Sequence, residues 1–318
     1  MAVATPAKWV GKGLTAADPR LIESVADYVA LEQYPVLEGG SLGIGDRDGF
    51  YYKLTTDLDL GDTARNPLAN VVANSHVAIT IKLDGDGHTI TNGKWWSSTV
   101  LRGGLISWLG VGGTVSNLHI TSSSTYSTYS GGFVGNNKGT ITACSVTSSS
   151  SSSSSPSGSG YSGGFVAGND GTITACSVTS SSSSSPSSSG GFVGYANRGT
   201  ILNSLSACTL GTGTTRKGFA AFVQGTSIFT SNYWDTTYSI TPTVAETNAT
   251  GVTTAQAQAG DTSPINGLSA GAGAGYWYYQ ADSYPQLTAP EPVPVLPQKA
   301  HHLWLCHGNA RAVLRNAR

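Results

Sequence analysis

Apolar side chains in this chain alternate over short runs and seldom hold a helical period. Residues 50–60 (FYYKLTTDLDL) alternate apolar and polar as a strand does, and residues 79–92 (ITIKLDGDGHTITN) do so around a Gly-rich turn. Residues 18–34 differ: Leu21, Val25 and Val29 recur every four residues, behind Asp18 as a cap and Pro19 in the first turn. That spacing predicts one short helix, placed to cover an end of whatever the strands build.

The middle of the chain repeats itself. Residues 131–147 read GGFVGNNKGTITACSVT and residues 163–179 read GGFVAGNDGTITACSVT, so Gly131 and Gly163, like Cys144 and Cys176, stand 32 residues apart. A looser copy, GGFVGYANRGTILNSLS, covers 190–206, with Ser204 in the cysteine's place. Each copy is an apolar strand, an Asn/Gly turn and a strand of Thr, Ile and Val. Such a unit cannot bury its own apolar face, whereas stacked copies can, which predicts an all-β parallel β-helix, or β-solenoid.

Side-chain directions follow from the strand period. Ile141, Cys144 and Val146 form an inward set, and Ile173, Cys176 and Val178 repeat it as a core ladder. Ile141 lies three residues before Cys144, so a bend is predicted near Thr142-Ala143. Thr140 and Thr142 then face outward, as do Thr172 and Thr174 and, one coil earlier, Thr114 and Ser116. These six make a candidate surface ladder of hydroxyls and methyls. Asn137-Lys-Gly139, Asn169-Asp-Gly171 and Asn197-Arg-Gly199 recur at one place, which predicts a turn using left-handed backbone angles. The Ser tracts at 148–155 and 180–185 fit either loops thrown out from the solenoid or strands that lengthen each coil.

Composition narrows the functional classes. Only 11% of residues are charged, the formal net charge is −1 and 41 residues are Gly. The polar surface is therefore built from hydroxyls, without the basic footprint of nucleic-acid binding, and no apolar run is long enough to span a membrane. Residues 1–14 have no apolar core of the kind a secretory signal uses, which leaves the export route open. The repeat cysteines read as small core residues, because no His or second Cys shares their unit. Asp57 and Asp59, and Asp84, Asp86 and His88, have the period-two spacing of an acid/base pair or a Ca²⁺ site, but Asp84-Gly-Asp-Gly87 equally reads as a turn. His301, His302, Cys306 and His307 have Zn²⁺-ligand chemistry in a stretch without a fold signal. No catalytic residue, metal or cofactor is assigned.

The chain divides into an N-terminal segment with the helix (1–49), a repeat region (50–288), and a tail (289–318) opened by Pro290, Pro292, Pro294 and Pro297. Residues 276–287 (YWYYQADSYPQL), with Asn232-Tyr-Trp-Asp235, offer aromatic mass for a second cap. In order, YYKLTTDLDL (51–60), LDGDGHTI (83–90), LISWLGVGGTVSNLHI (105–120), the GGFVG…GTITACSVT units, SNYWDTT (231–237) and YPQL (284–287) resemble the GLUG-repeat surface proteins of bacteria. These include adhesin-like and filamentous-haemagglutinin-like chains; Phe stands here where that family uses Leu in the GGFVG segment. The resemblance implies an extracellular or cell-surface, non-enzymatic structural or adhesion protein whose partners are matrix or host glycans or proteins. A subunit of a self-assembling filament, with the chain itself as partner, is the second expectation. A polysaccharide- or ice-binding solenoid, using the Thr ladder, is the third.

Overall fold

A computed structural model describes residues 6–33, 49–68, 70–72, 75–96, 101–153, 160–185, 187–211, 214–237, 242, 244–259, 277–279 and 282–287. All belong to one unit, Met1–Thr288; a second unit, Ala289–Arg318, lies outside them. The described chain is a parallel β-solenoid. One coil runs Thr140–Thr142, Ser145–Thr147, Ser150–Ser153, Tyr161–Gly163 and Val166–Asn169, then turns into Thr172–Thr174 of the next. We call its sides the Thr, Ser, Tyr and Val faces. Stacking is in register: Val115, Ile141, Ile173 and Ile201 align on the Thr face, and Ile120, Val146 and Val178 on the Ser face. The result is an eight-stranded sheet, a twelve-stranded sheet and two five-stranded sheets. A two-stranded antiparallel hairpin, Asn70–Val72 with Ser75–Val77, interrupts the coils.

The core repeats with the coil. Ile141, Cys144, Val146, Ile173, Cys176 and Val178 are fully buried. Phe133, Phe165, Phe192 and Phe219 stack through the interior with centroids 5.0, 4.8 and 4.8 Å apart. The Gly-Gly pair before Phe133, Phe165 and Phe192 is steric: a Cβ at Gly163 would meet the Val166 carbonyl, and one at Gly164 the Gly191 carbonyl of the next coil. The bend falls at Ala143, with φ +52°, and Asn117, Ala175, Asn203 and Ser231 take the same left-handed angle one coil apart. A second left-handed corner holds Ser122, Ser148 and Ser180. Of the three Asn/Gly turns, the third holds a left-handed residue, Arg198 with φ +64°, and the first two work differently from expectation. Neither Asn137 nor Asn169 is left-handed; both are buried, and Asn137 Nδ2 donates to Asn169 Oδ1 at 2.8 Å while Asn137 Oδ1 accepts from Gly139 N. Asn is needed there for its amide, which satisfies turn and neighbouring coil together.

The Ser tracts are strands at Ser150–Ser153 and Ser177–Ser184, with alternate serines buried. Ser151 Oγ donates to the Gly163 carbonyl and Ser183 Oγ to Ser162 Oγ, so the inward hydroxyls find partners across the coil. A chain without apolar residues thus lines a core corner with paired hydroxyls.

Each end differs from the sequence expectation. Of the predicted helix at 18–34, the described residues are helical over Val25–Gln33; Arg20–Ile22 instead forms the first strand of the Thr face, paired with Tyr51–Leu54. Edge pairing overrides helical spacing there, and the Asp27 carboxylate accepts from Glu23 N, Ser24 Oγ and Lys8 Nζ at the helix start. At the other end, Trp277 and Leu287 pack with Ala175, Leu205, Val252 and Ala257. Leu205 belongs to the outward column His119, Ser145, Ser177, Leu205, so this segment lies along the Ser face and is not a plug. The terminal coil is closed by a carboxylate. Phe165 N donates to Phe192 O and Phe192 N to Phe219 O, while Phe219 N and Ala220 N both donate to Glu246 Oε2 at 2.9 Å. Glu246 stands 27 residues after Phe219, the step that also separates Phe165, Phe192 and Phe219. Its oxygen occupies the place of the next coil's carbonyl.

Candidate functional site

Two outward columns meet where the Tyr face turns into the Val face. Arg102, Tyr129 and Tyr161 align in the first, followed by Ser188. Trp108, Asn136, Gly168, Tyr195 and Phe222 align in the second. Gly168 leaves a gap in the second column, and there the line of rings crosses from one column to the other. Tyr129 and Tyr161 stack at 5.9 Å, Tyr161 and Tyr195 lie 5.2 Å apart, and Tyr195 and Phe222 stack at 5.7 Å. The crossing bounds a groove of about 520 Å³.

Two of these contacts are stacked and the crossing contact is tilted by 44°, so the groove presents ring surface together with the phenolic hydroxyls. Hydroxyls and the positive ring edges suit carbonyl oxygens, and ring faces suit aliphatic groups. Phe222, 43% exposed, ends the line. At the other end the Arg102 guanidinium lies 4.5 Å from the Trp108 ring and 5.7 Å from Tyr129, yet makes no hydrogen bond or ion pair with a described residue. Asp170 lines the groove with Oδ1 buried and without a hydrogen-bond partner. Burial pushes its carboxyl up, and the Lys138 and Arg198 charges only partly offset this. An unpaired donor fork and an unpaired acceptor therefore flank one line of rings.

The Thr ladder predicted from sequence has a different setting. Thr114, Thr140 and Thr172 align, as do Ser116, Thr142 and Thr174, on the Thr face. Thr200 and then Ile228 continue the first column, Leu202 follows in the second, and Thr174 is only 8% exposed. The carboxylates of the early coils hold turns and the neighbouring coil: Asp57 Oδ1 accepts from Thr89 N of the next coil, Asp59 Oδ1 from Gly61 N and Asn92 Nδ2, and Asp84 Oδ1 from Asp86 N. Asp86 pairs with Lys53 at 2.9 Å. Among the described residues no group of three or more His, Cys, Asp or Glu side chains could hold a metal ion. His301, His302, Cys306 and His307 lie outside the described residues. No described helix is long and apolar enough to cross a membrane.

A second cleft, of about 480 Å³, separates the Ser face from residues 282–287. In it Ser145 Oγ lies 2.7 Å from His119 Nδ1, and His119 Nε2 is buried without a hydrogen-bond partner among the described residues.

Neither a protein-family model nor a curated protein matches the chain. Among solved structures it is similar to a chain from Bacteroides ovatus named "putative immunoglobulin A1 protease", with TM-score 0.56 and 17% identity over 87% of this chain and 94% of that one. The likeness is one of fold. It nevertheless overturns the expectation of a non-enzymatic structural or adhesion protein, with its filament and polysaccharide- or ice-binding alternatives. Those readings took a solenoid to be a passive surface, and this architecture also occurs in a chain bearing a protease's name. A fold is a scaffold on which very different sites are built, so repetition alone does not set the role.

The groove was not among the residues that the sequence nominated. One signal was available: Tyr129 and Tyr161 each precede a Ser-Gly-Gly-Phe segment, so the repeat extends two residues further back than Gly131 and Gly163.

Proposed function

We propose that this chain is a polypeptide-recognition solenoid whose aromatic groove grips an extended segment of a partner protein. The observation that carries this is that the Arg102 guanidinium, without a hydrogen-bond partner among the described residues, and the Asp170 carboxylate line one groove with a row of aromatic rings. A polypeptide backbone supplies carbonyls for the donor fork and the tyrosine hydroxyls, and N–H groups for the carboxylate. Aromatic-lined grooves are a recurrent way of holding extended peptides. The fold neighbour's name, that of a protease, supports a polypeptide as the ligand class. An extracellular or cell-surface setting goes with this reading, supported by the hydroxyl-built surface and the GLUG-like motifs.

The test is a library of extended peptides screened against the intact chain and its Tyr161→Ala and Phe222→Ala variants, each shown to be folded by its thermal transition. Removal of either ring weakens the selected peptides by at least about tenfold, as expected for a central aromatic contact. Peptides that bind all three proteins equally, or no selected peptide at all, would reject the groove.

A further inference from the structure

Resting on that reading, the geometry points to a ligand of defined polarity: an acidic, polyproline-II-like segment that sets a carboxylate on Arg102 and a hydrogen-bond donor on Asp170, three residues apart. The spacing comes from the solenoid. Arg102 pairs in register with Tyr129, and Tyr129 with Tyr161. Asp170 directly follows the Val166–Asn169 strand of the Tyr161 coil, so the two charges are separated by two coil steps. At the strand spacing of a sheet that is roughly 9.5 Å along the axis. A polyproline-II helix advances about 3.1 Å per residue and returns to the same side every third residue, or roughly 9.3 Å. Residues i and i+3 of such a segment therefore match the axial part of that separation, and the corner between the two faces sets the offset across the groove.

The chemistry agrees at each point. The Arg102 fork is already stacked over Trp108 and held beside Tyr129, which fixes its plane and leaves its N–H groups to receive a carboxylate in the bidentate manner. At Asp170 the neighbouring Lys138 and Arg198 disfavour a second ammonium, so an uncharged amide or hydroxyl donor fits better. Between them, ring edges and phenolic hydroxyls face a backbone whose carbonyls are all free, since polyproline II has no internal hydrogen bonds. Proline, lacking an N–H, adds no donor that the groove would leave unpaired.

The experiment uses the intact chain and four blocked, dye-labelled peptides followed by anisotropy. Their central segments are Glu-Pro-Pro-Gln, Gln-Pro-Pro-Gln, Glu-Pro-Pro-Val and a spacing control, Glu-Pro-Gln-Pro. Glu-Pro-Pro-Gln should bind at least about tenfold more tightly than each of the other three. Arg102→Gln should remove the advantage of Glu-Pro-Pro-Gln over Gln-Pro-Pro-Gln, weakening the acidic peptide by at least about tenfold more than the neutral one. Asp170→Asn should remove the advantage over Glu-Pro-Pro-Val in the same way. If Gln-Pro-Pro-Gln bound as tightly as Glu-Pro-Pro-Gln, with both still weakened by Tyr161→Ala, the polarity inference would be overturned while peptide recognition stood. If none of the four bound and the library also failed, both would fall.

Discussion

Glu246 offers a sharp test of how this solenoid stops. Its Oε2 accepts from Phe219 N and Ala220 N, and its Oε1 from Thr247 N and Asn248 N. Glu246→Ala would strip the two strand amides of their acceptor at the edge of the last Val-face strand, Ala220–Gln224. A hydrogen bond to a charged group contributes about 1.5–3 kcal/mol, and this half-exposed end lets water recover part of that, so the loss should be about 2–4 kcal/mol. With about 2.1 cal/mol/K of unfolding entropy per residue over the Met1–Thr288 unit, the transition should fall by about 3–7 °C. Glu246→Gln keeps a neutral acceptor and should lie between the two. Circular-dichroism melts give the shift, and hydrogen exchange should show the Phe219 and Ala220 amides losing protection ahead of interior coils. An unpaired edge also invites sticking, so light scattering on heating should rise in the alanine variant. If both variants melted within about 1 °C of the parent and the two amides stayed protected, Glu246 would not be the element that ends the stack.

Two further outcomes test the interior and the N-terminal start. Phe192 is stacked 4.8 Å from both Phe165 and Phe219, so Phe192→Ala should cost about 3–5 kcal/mol and Phe192→Leu under about 1.5 in denaturant titrations; equal losses would mean that the ring column is not a packed core. Burial alone would raise the Asp27 carboxyl, but the bonds from Lys8, Glu23 N and Ser24 outweigh it and hold the group below its ordinary value. A carboxyl depressed in the folded state contributes stability above its unfolded value of about 3.9 and loses it as the pH falls further. The melting difference between the parent and Asp27→Asn should therefore be present at neutral pH and shrink below about pH 4; a difference independent of pH would refute the assignment.

The repeat alone determined the architecture. Copies 32 residues apart, each too small to bury its own apolar face, leave stacking as the way to make a core, and the inward set Ile141, Cys144, Val146 follows from strand alternation with one bend at Ala143. Tertiary structure decided whatever depended on a neighbour outside the local segment. Helical spacing at residues 18–24 gave way because Arg20–Ile22 could pair with Tyr51–Leu54, a partner some thirty residues away. The Ser tracts carry no hydrophobic signal of their own, yet they became strands because Ser162 and Gly163 of the adjoining face supply partners for their hydroxyls. Glu246 is an ordinary glutamate until the 27-residue step lays it on the last open amides. The groove is the extreme case. Tyr129 and Tyr161 repeat visibly in sequence, but Tyr195 and Phe222 come from a different face, and the rings meet only because Gly168 leaves a gap where two faces turn a corner. Periodicity records which way a side chain points within its own strand; which columns converge is set by how the coil closes.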